Sequence, residues 1–279
     1  MLERFSRSWQ ILQASAAVLR QDRELLLFPF FSGLATLLVA ATFLVPLAMT
    51  GALEGTSQTG VSAGFLLTVF AFYLIQYFII FFFNTALVGA ALIRLDGGDP
   101  TVADGLKIAR DRVWRILGYA GIAATVGLIL RAIEERAGFL GRWIVAFLGV
   151  AFTVATFLTI PILVTRDVGP VEAVKESAAL LKRTWGENII GNAGLGVVFF
   201  VAYFSIALLA IMLIPAAAPS VVGVVTVCTL LIGVTLVLAL FQAALQGIYS
   251  AALYRYATQG DAGASFDRAM LIEAFRPKS

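Results

Sequence analysis

Long uncharged apolar runs alternate with short charged segments along the whole chain. Runs of this length are typical of helices that cross a membrane, since about 20 apolar residues span the roughly 30 Å of hydrocarbon. The run from Glu187 to Arg255 is too long for a single helix, and the two prolines of IPAAAPS (214–220) divide it. The pattern predicts six spans, at about 26–49, 64–93, 115–131, 143–164, 189–214 and 220–254.

The third predicted span is the shortest, because Arg115 and Arg131 enclose it. Its uncharged part, 116–130, would be about 22 Å long as a helix. It therefore crosses the hydrocarbon only if both arginine side chains extend towards the headgroups or the bilayer thins. We expect it to cross, which makes the number of spans even.

Three segments outside the spans place apolar residues at every third or fourth position, the spacing of one helix face. They lie at about 2–24, 101–114 and 170–186, and each precedes a pair of spans. We expect amphipathic helices at the membrane interface, with docking on the protein's own spans as an equal alternative for the first. Their aromatic side chains are the candidate lipid contacts: Phe5, Trp9, Trp114 and Trp185. Thr101 and Asp104 are spaced as a capping box at the start of the second helix.

Short sequence segments also recur along the chain. SAAVLR (15–20) resembles SAALLK (177–182), which favours three repeated units of interfacial helix plus hairpin. The middle copy matches least, so two units and a diverged third are the alternative. The sequence therefore predicts an all-α, polytopic transmembrane bundle that forms one domain over 1–279. Gly260 should end the last span, and a short helix should follow at 265–275.

The basic residues indicate the orientation. Seventeen of the 20 lysines and arginines fall in the two terminal segments and the 94–115 and 165–187 connections. Only Arg131, Arg136 and Arg142 fall on the opposite side. The positive-inside rule then predicts a cytoplasmic (inner) membrane protein with both termini and all three interfacial helices in the cytoplasm.

Composition narrows the possible chemistry. Hydrophobic residues make up 60% of the chain and charged residues 13%, with a mean hydropathy of +0.94, as expected for a lipid-embedded protein. Histidine is absent and Cys228 is the single cysteine, which excludes Ser-His and Cys-His pairs and an internal disulfide. We expect no catalytic residues, cofactor or metal. The aspartates of LDGGDPTVADG (95–105) do not have calcium-loop spacing, and turn and capping roles account for them. The net charge of +3 needs no nucleic-acid partner.

Amide side chains inside the spans are the remaining candidate site. Such groups must find hydrogen-bond partners in lipid, so they either join helices or line a polar path or headgroup site. The candidate intramembrane polar cluster comprises Gln76, Asn84, Asn192, Gln242 and Gln246.

Four segments carry a resemblance to a known family: FSRSWQILQASAAVLRQDRELLLFP (5–29), FFFNTALVGAALIRLDGGDPTVADGL (81–106), SAALLKRTWGENIIG (177–191) and LYRYATQG (253–260). The chain resembles, over nearly its whole length, a family of uncharacterised prokaryotic integral membrane proteins, a domain-of-unknown-function family. It is more distantly similar to YciC-type and glycerophosphodiester phosphodiesterase-associated membrane domains. The resemblance implies a multi-pass α-helical membrane protein and carries no catalytic or binding residues with it.

Two functions are favoured by these features, ahead of a membrane enzyme, which would need paired Asp and Glu side chains at the cytoplasmic face. The first is a non-enzymatic organising, scaffold or accessory protein of the membrane, whose partners are lipids and a second copy or another membrane protein. The alternative is a transporter or channel for a small or amphipathic solute or lipid, which would use the intramembrane amides.

Overall fold

The computed structural model of the protein describes residues 2–49, 63–185 and 195–261, without the side chains of 2–8, Leu47, Ala48, Ala63, Leu140 and Trp185. These residues form ten α-helices and one short 3-10 helix, and no strand occurs among them. The helices are α1 (Leu2–Gln21), the 3-10 helix η1 (Arg23–Leu26), α2 (Leu27–Met49), α3 (Ala63–Leu95), α4 (Val102–Asp111), α5 (Val113–Arg136), α6 (Phe139–Ala155), α7 (Thr159–Thr165), α8 (Pro170–Trp185), α9 (Gly196–Ala217) and α10 (Val221–Gln259).

Six stretches of the described chain are long and apolar enough to cross a membrane: Arg23–Pro46, Gly64–Leu95, Val113–Arg136, Gly141–Thr165, Gly196–Ala217 and Val221–Gln259. The prediction of an all-α multi-pass membrane protein with six spans is confirmed. The last two spans separate at residues 218–220, within IPAAAPS, where Ser220 caps the start of α10. Gly260, in the left-handed conformation at φ 73°, ends α10 as expected.

The third span is longer than its uncharged part. α5 continues through Arg131 to Arg136, so its 24 residues extend over about 36 Å. The Arg131 guanidinium donates to the Tyr73 hydroxyl (2.8 Å) and bonds Glu135 (3.2 Å). These contacts give the Arg131 side chain polar partners, and α5 as a whole is long enough and apolar enough to cross a membrane.

The fourth span, predicted at 143–164, is two helices. Pro161 has no N–H to donate to the Phe157 carbonyl, and its ring would clash there, so the chain breaks at residues 156–158. The Thr156 hydroxyl donates to the Phe152 carbonyl (2.8 Å), and the Leu158 N–H donates to Ser177 Oγ on α8 (3.0 Å). The break is therefore tied to a helix outside the spans.

Buried apolar side chains gather at one end of the bundle, which we call the packed end. It consists of residues 86–95 of α3 and 244–259 of α10, with α1, α4, α7 and α8 around them. The opposite end, which we call the hairpin end, holds the α5–α6 and α9–α10 turns and the helix segments beside them. In the hairpin end no residue of 200–243 is buried.

The three predicted interfacial helices each bury one face against the bundle. Ile11, Ser15 and Val18 are buried on α1, and Ala173 and Ser177 are buried on α8. α4 approaches α3 through Gly105, where a Cβ atom would lie 2.7 Å from the Ala86 carbonyl oxygen. Docking on the protein's own helices thus accounts for one face of each helix. Their contact with lipid and the threefold repeat stay predictions, and 265–275 lies outside the described residues.

Candidate functional site

Two arginines fix the packed end. Arg94, at the end of α3, pairs with Asp22 before η1 and with Asp99 before α4. Arg255, near the end of α10, pairs with Asp96 (2.7 Å) and donates to the Leu95 carbonyl. Arg255 therefore holds the end of α10 beside the end of α3, and Arg94 ties α3 to the segments before η1 and α4.

The pairing of α3 with α10 is close where Gly247 faces Leu87. A Cβ atom on Gly247 would lie 2.4 Å from Leu87 Cδ2 and 3.3 Å from Asn84 Oδ1. Glycine is therefore needed here for the two helices to approach. The contact sets the Asn84 amide against α10, one turn from Gln246 and Ser250.

A cavity of about 520 Å³ lies beside this contact. Its walls come from α2, α3, α5, α6, α7 and α10 and from the break between α6 and α7. The lining comprises Pro29, Ser32, Tyr77, Ile80, Phe81, Phe83, Asn84, Leu87, Tyr119, Ala123, Val126, Gly127, Leu130, Gly149, Phe152, Thr153, Thr156, Phe157, Ile160, Ala243, Gln246, Gly247 and Ser250. Its volume is typical of small-molecule sites, which range over roughly 300–1,000 Å³.

The end of the cavity nearest the packed end is polar. Asn84, Gln246, Ser250 and the buried Thr156 lie there, together with Tyr119. Ser250 and Thr156 use their hydroxyls on carbonyls of their own helices (2.9 and 2.8 Å). The amides of Asn84 and Gln246 make no hydrogen bond to any other residue that the structure describes, so both are available to a ligand.

The other end of the cavity is mainly apolar. Val126, Leu130 and Phe152 form its walls, Gly149 leaves room beside Leu130, and the Tyr77 hydroxyl lies next to Gly127. Thr153, Ala243 and Gln246 are exposed as well as part of the lining, and so is Ile80 on α3. The first three face outwards on α6 and α10, where the cavity opens sideways towards the surroundings of the bundle.

The predicted polar cluster is divided by the structure. Asn84 and Gln246 share the cavity, whereas Gln76 and Gln242 join neighbouring helices. Gln76 donates to the Thr36 carbonyl on α2 (3.2 Å), and Gln242 accepts from the Tyr203 hydroxyl on α9 (2.8 Å). Asn192 lies outside the described residues.

The predicted lipid contacts are described only in part. Trp9 and Trp114 have exposed side chains, at 44% and 80% of their surface. The side chains of Phe5 and Trp185 lie outside the described part of the chain. Lipid contact at these four positions stays a prediction.

Sequence reasoning missed five hydroxyl groups of the cavity: Ser32 on α2, Tyr119 on α5, Thr153 on α6, Thr156 in the break and Ser250 on α10. Pro161 was the available signal, because a proline inside a span removes a helical hydrogen bond and can kink or break the helix, although Pro46 and Pro215 lie inside continuous helices. Nothing in the sequence marked Gly127 and Gly149 as cavity residues, because a glycine in a span more often allows close helix packing.

Acidic residues at the packed end have structural partners. The Thr101–Asp104 capping box is present, and the Thr101 hydroxyl and N–H lower the pKa of the Asp104 carboxyl by hydrogen bonding to it. Hydrogen bonds from Arg115 and Arg112 lower the pKa of Asp167. In the described ranges, no group of three or more metal-ligating side chains comes together.

One comparison with known proteins gives a match. The sequence model of DUF6159, a family of unknown function, matches residues 62–265. The resembling segments 81–106, 177–191 and 253–260 lie inside this match, and 5–29 lies outside it. No curated protein matches the chain. The more distant likeness to YciC-type and phosphodiesterase-associated domains stays a prediction. Because the match covers five of the six spans, from α3 onwards, and well over half of the sequence, the chain belongs to the DUF6159 family of unknown function.

Proposed function

We propose that this protein is a non-enzymatic accessory protein of the cytoplasmic membrane that binds a membrane lipid in the cavity between α3, α5, α6 and α10. One observation carries the proposal. The cavity has hydrogen-bonding groups at one end and apolar walls at the other, and it opens sideways at Thr153, Ala243 and Gln246. A lipid is likewise polar at its head and apolar along its chains, and it would enter the cavity from the surrounding bilayer.

The length of the cavity supports a lipid. Tyr119 and Leu130 line its two ends on α5, and the helix rises about 16 Å between them. This is close to half of the roughly 30 Å of hydrocarbon, that is, to one leaflet.

The position of the cavity relative to the membrane surface also supports a lipid ligand. Ala86 touches α4 at Gly105, and Asn84 is about 3 Å away along α3. Because α4 is predicted to lie at the membrane surface, Asn84 comes to headgroup depth. A bound lipid would then have its head at Asn84 and its chain at Leu130.

The chemistry of the lining supports binding rather than catalysis. Its polar groups are amides and hydroxyls, which recognise a ligand through hydrogen bonds. Lipids are the proposed partners, together with a second copy or another membrane protein for the accessory role.

Native mass spectrometry of the full chain tests lipid binding. The protein is released from nanodiscs made of phosphatidylethanolamine, phosphatidylglycerol and diacylglycerol. We expect one retained lipid on the wild type and on Gly121→Leu, where a side chain enters open space away from the cavity. Gly149→Leu, which fills the apolar end, should lose the lipid. Equal retention by both variants would refute the proposal.

Transport is the second candidate, and the broken helix supports it. Transporters often form substrate sites at interrupted spans, and the α6–α7 break lines this cavity. Stopped-flow glycerol flux into proteoliposomes separates the two functions. The accessory proposal expects the rate of protein-free liposomes. A faster rate that Gly149→Leu abolishes would establish transport instead.

The proposed orientation has both termini and α1, α4 and α8 in the cytoplasm. In a Cys228→Ser background, a cysteine at Gly138, between α5 and α6, should react with an impermeant maleimide in intact cells. A cysteine at Lys107 on α4 should react only after permeabilisation. The opposite pattern would reverse the orientation.

A further inference from the structure

We infer that the cavity selects lipids whose head carries only hydroxyl and ester groups, with diacylglycerol as the simplest example, over lipids with a charged phosphate. The inference rests on the proposed lipid-binding function and adds the class of ligand. It follows from the groups at the polar end of the cavity, from the charges near it and from the helix break in its wall.

The two amides at the polar end match an uncharged head. Asn84 and Gln246 each offer a carbonyl acceptor and an NH₂ donor, and neither is used by another described residue. A free hydroxyl can donate to one amide oxygen while an ester carbonyl accepts from an amide NH₂. One amide then has both its oxygen and its NH₂ paired, and the NH₂ of the other amide can donate to a second ester carbonyl.

The helix break adds an acceptor. Pro161 cannot donate to the Phe157 carbonyl, so the carbonyl of Phe157, a residue of the lining, lacks its usual helical partner. A ligand hydroxyl can replace the missing donor. A phosphate without a proton cannot, because it only accepts hydrogen bonds.

A phosphate would also lack a counter-charge. Among the lining residues that the structure describes, none is Asp, Glu, Lys or Arg. Two arginines of the packed end already have carboxylate partners, Arg94 in Asp22 and Asp99 and Arg255 in Asp96, and Arg115 shares Asp167 with Arg112 outside the cavity lining. Burying an unpaired phosphate is costly, whereas a hydroxyl or ester needs only hydrogen bonds.

Photo-cross-linking tests the selection. Full-length protein in nanodiscs is labelled with a diazirine diacylglycerol or with the matching diazirine phosphatidylglycerol, at equal mole fraction, and labelled peptides are quantified by mass spectrometry. We expect at least about tenfold more diacylglycerol than phosphatidylglycerol on the peptides that line the cavity. Equal labelling, or more phosphatidylglycerol, would overturn the inference.

Three variants make the result specific. Gln246→Lys places a cation at the exposed edge of the cavity, and it should shift the preference towards phosphatidylglycerol. Asn84→Leu with Gln246→Leu should reduce diacylglycerol labelling about tenfold. Gln242→Leu, which breaks the bond to Tyr203 outside the cavity, is the matched control and should label as the wild type does. An unchanged preference in Gln246→Lys would contradict recognition at this end.

Failure of the underlying function gives a different result. If each lipid labels the wild type no more strongly than it labels the Gly149→Leu variant, the cavity holds no lipid. The proposed function then fails together with the inference. If both label the wild type equally and Gly149→Leu abolishes both signals, lipid binding stands and only the choice of an uncharged head is wrong.

Discussion

The packed end and the hairpin end of the bundle are built from the same helices, yet they are held together in different ways. α10 shows this within one element: residues 244–254 are buried except Gln246, whereas none of residues 221–243 is. At 39 residues, or about 58 Å, α10 is far longer than the hydrocarbon is thick. The difference teaches that the fold is specified at the packed end, and that the spans extend from it into lipid.

Polar contacts follow the same division. Among the described residues, every ion pair that joins separate helices or loops lies at the packed end, where Arg94, Arg112, Arg115, Arg166 and Arg255 all take part. The hairpin end joins helices through hydrogen bonds such as Tyr203 to Gln242. Apolar surface gives helices little reason to associate in lipid, so packing and a few hydrogen bonds must suffice there.

The largest effect is expected from a buried ion pair of the packed end. Comparison with an exposed pair of the same arginine tests whether burial of the pair, rather than the charge alone, determines its contribution to stability. Asp22 and Asp99 both pair with Arg94, but their side chains are 10% and 92% exposed. Asp22→Ala should cost about 3–5 kcal/mol, because it breaks a largely buried pair. Asp99→Ala should cost at most about 1 kcal/mol. Thermal unfolding in detergent measures the stability of both variants. Equal losses of stability would contradict a larger contribution from the buried pair.

A leucine deletion at each end compares their packing directly. Leu163, on α7 at the packed end, is fully buried, and Leu230 on α10 is 64% exposed. Leu163→Ala should destabilise by about 2–5 kcal/mol through the cavity that it leaves. Leu230→Ala should change stability by no more than about 0.5 kcal/mol. A Leu230 effect as large as that of Leu163 would mean that the hairpin end is packed against something.

Removal of an interhelical hydrogen bond should have a smaller effect. Gln76→Leu deletes the bond to the Thr36 carbonyl, and it also removes an amide oxygen that is buried without a partner. We expect a loss of about 0.6 kcal/mol, typical of such bonds in membranes. Thr68→Val is the control, because the Thr68 hydroxyl bonds only within α3. A loss above about 2 kcal/mol would show that hydrogen bonds dominate in the hairpin end.

The smallest expected effect depends on pH. Hydrogen bonds from Arg115 and Arg112 lower the pKa of Asp167 in the folded protein. The contacts therefore stabilise the protein above the ordinary Asp pKa of about 4, and this contribution is lost as pH falls through the lowered pKa. Asp167→Asn should unfold at a lower temperature than the wild type at pH 7, and the difference should vanish at acidic pH. The control, Asp111→Asn, removes the same charge from an exposed position. A difference that grew in acid would contradict this sign.

The sequence predicted the spans well because hydropathy reports directly on the solvent around a helix. It underestimated α5, because Arg131 finds partners in Tyr73 and Glu135 that only the neighbouring helix and the next turn can provide. The buried face of α1 contains Ile11 and Ser15 and lies beside the predicted face of Trp9 and Leu12. Amphipathic spacing predicts which face of a helix is apolar. Which part of that face is buried depends on the surface of the neighbouring helices that it packs against.

The candidate site could be predicted only as a set of residue types. All five residues are intramembrane amides by sequence, but an amide alone does not indicate whether its partner is a neighbouring helix or a ligand. The rotation of α10 decides this, and close contact of Gly247 with Leu87 fixes that rotation. Gln246 consequently meets the cavity, and Gln242, one turn away, meets Tyr203 on α9.

A nitroxide scan along α10 tests the two-part organisation most directly, since this helix passes through both ends. Single cysteines from Val225 to Tyr254, in a Cys228→Ser background in nanodiscs, would be spin-labelled and examined for collisions with oxygen. We predict high oxygen accessibility at most positions up to Phe241 and a sharp fall from Ala244 onwards, with Gln246 as the exception. Uniform accessibility along the helix, or protection confined to residues before 241, would contradict a fold that is specified at one end and surrounded by lipid at the other.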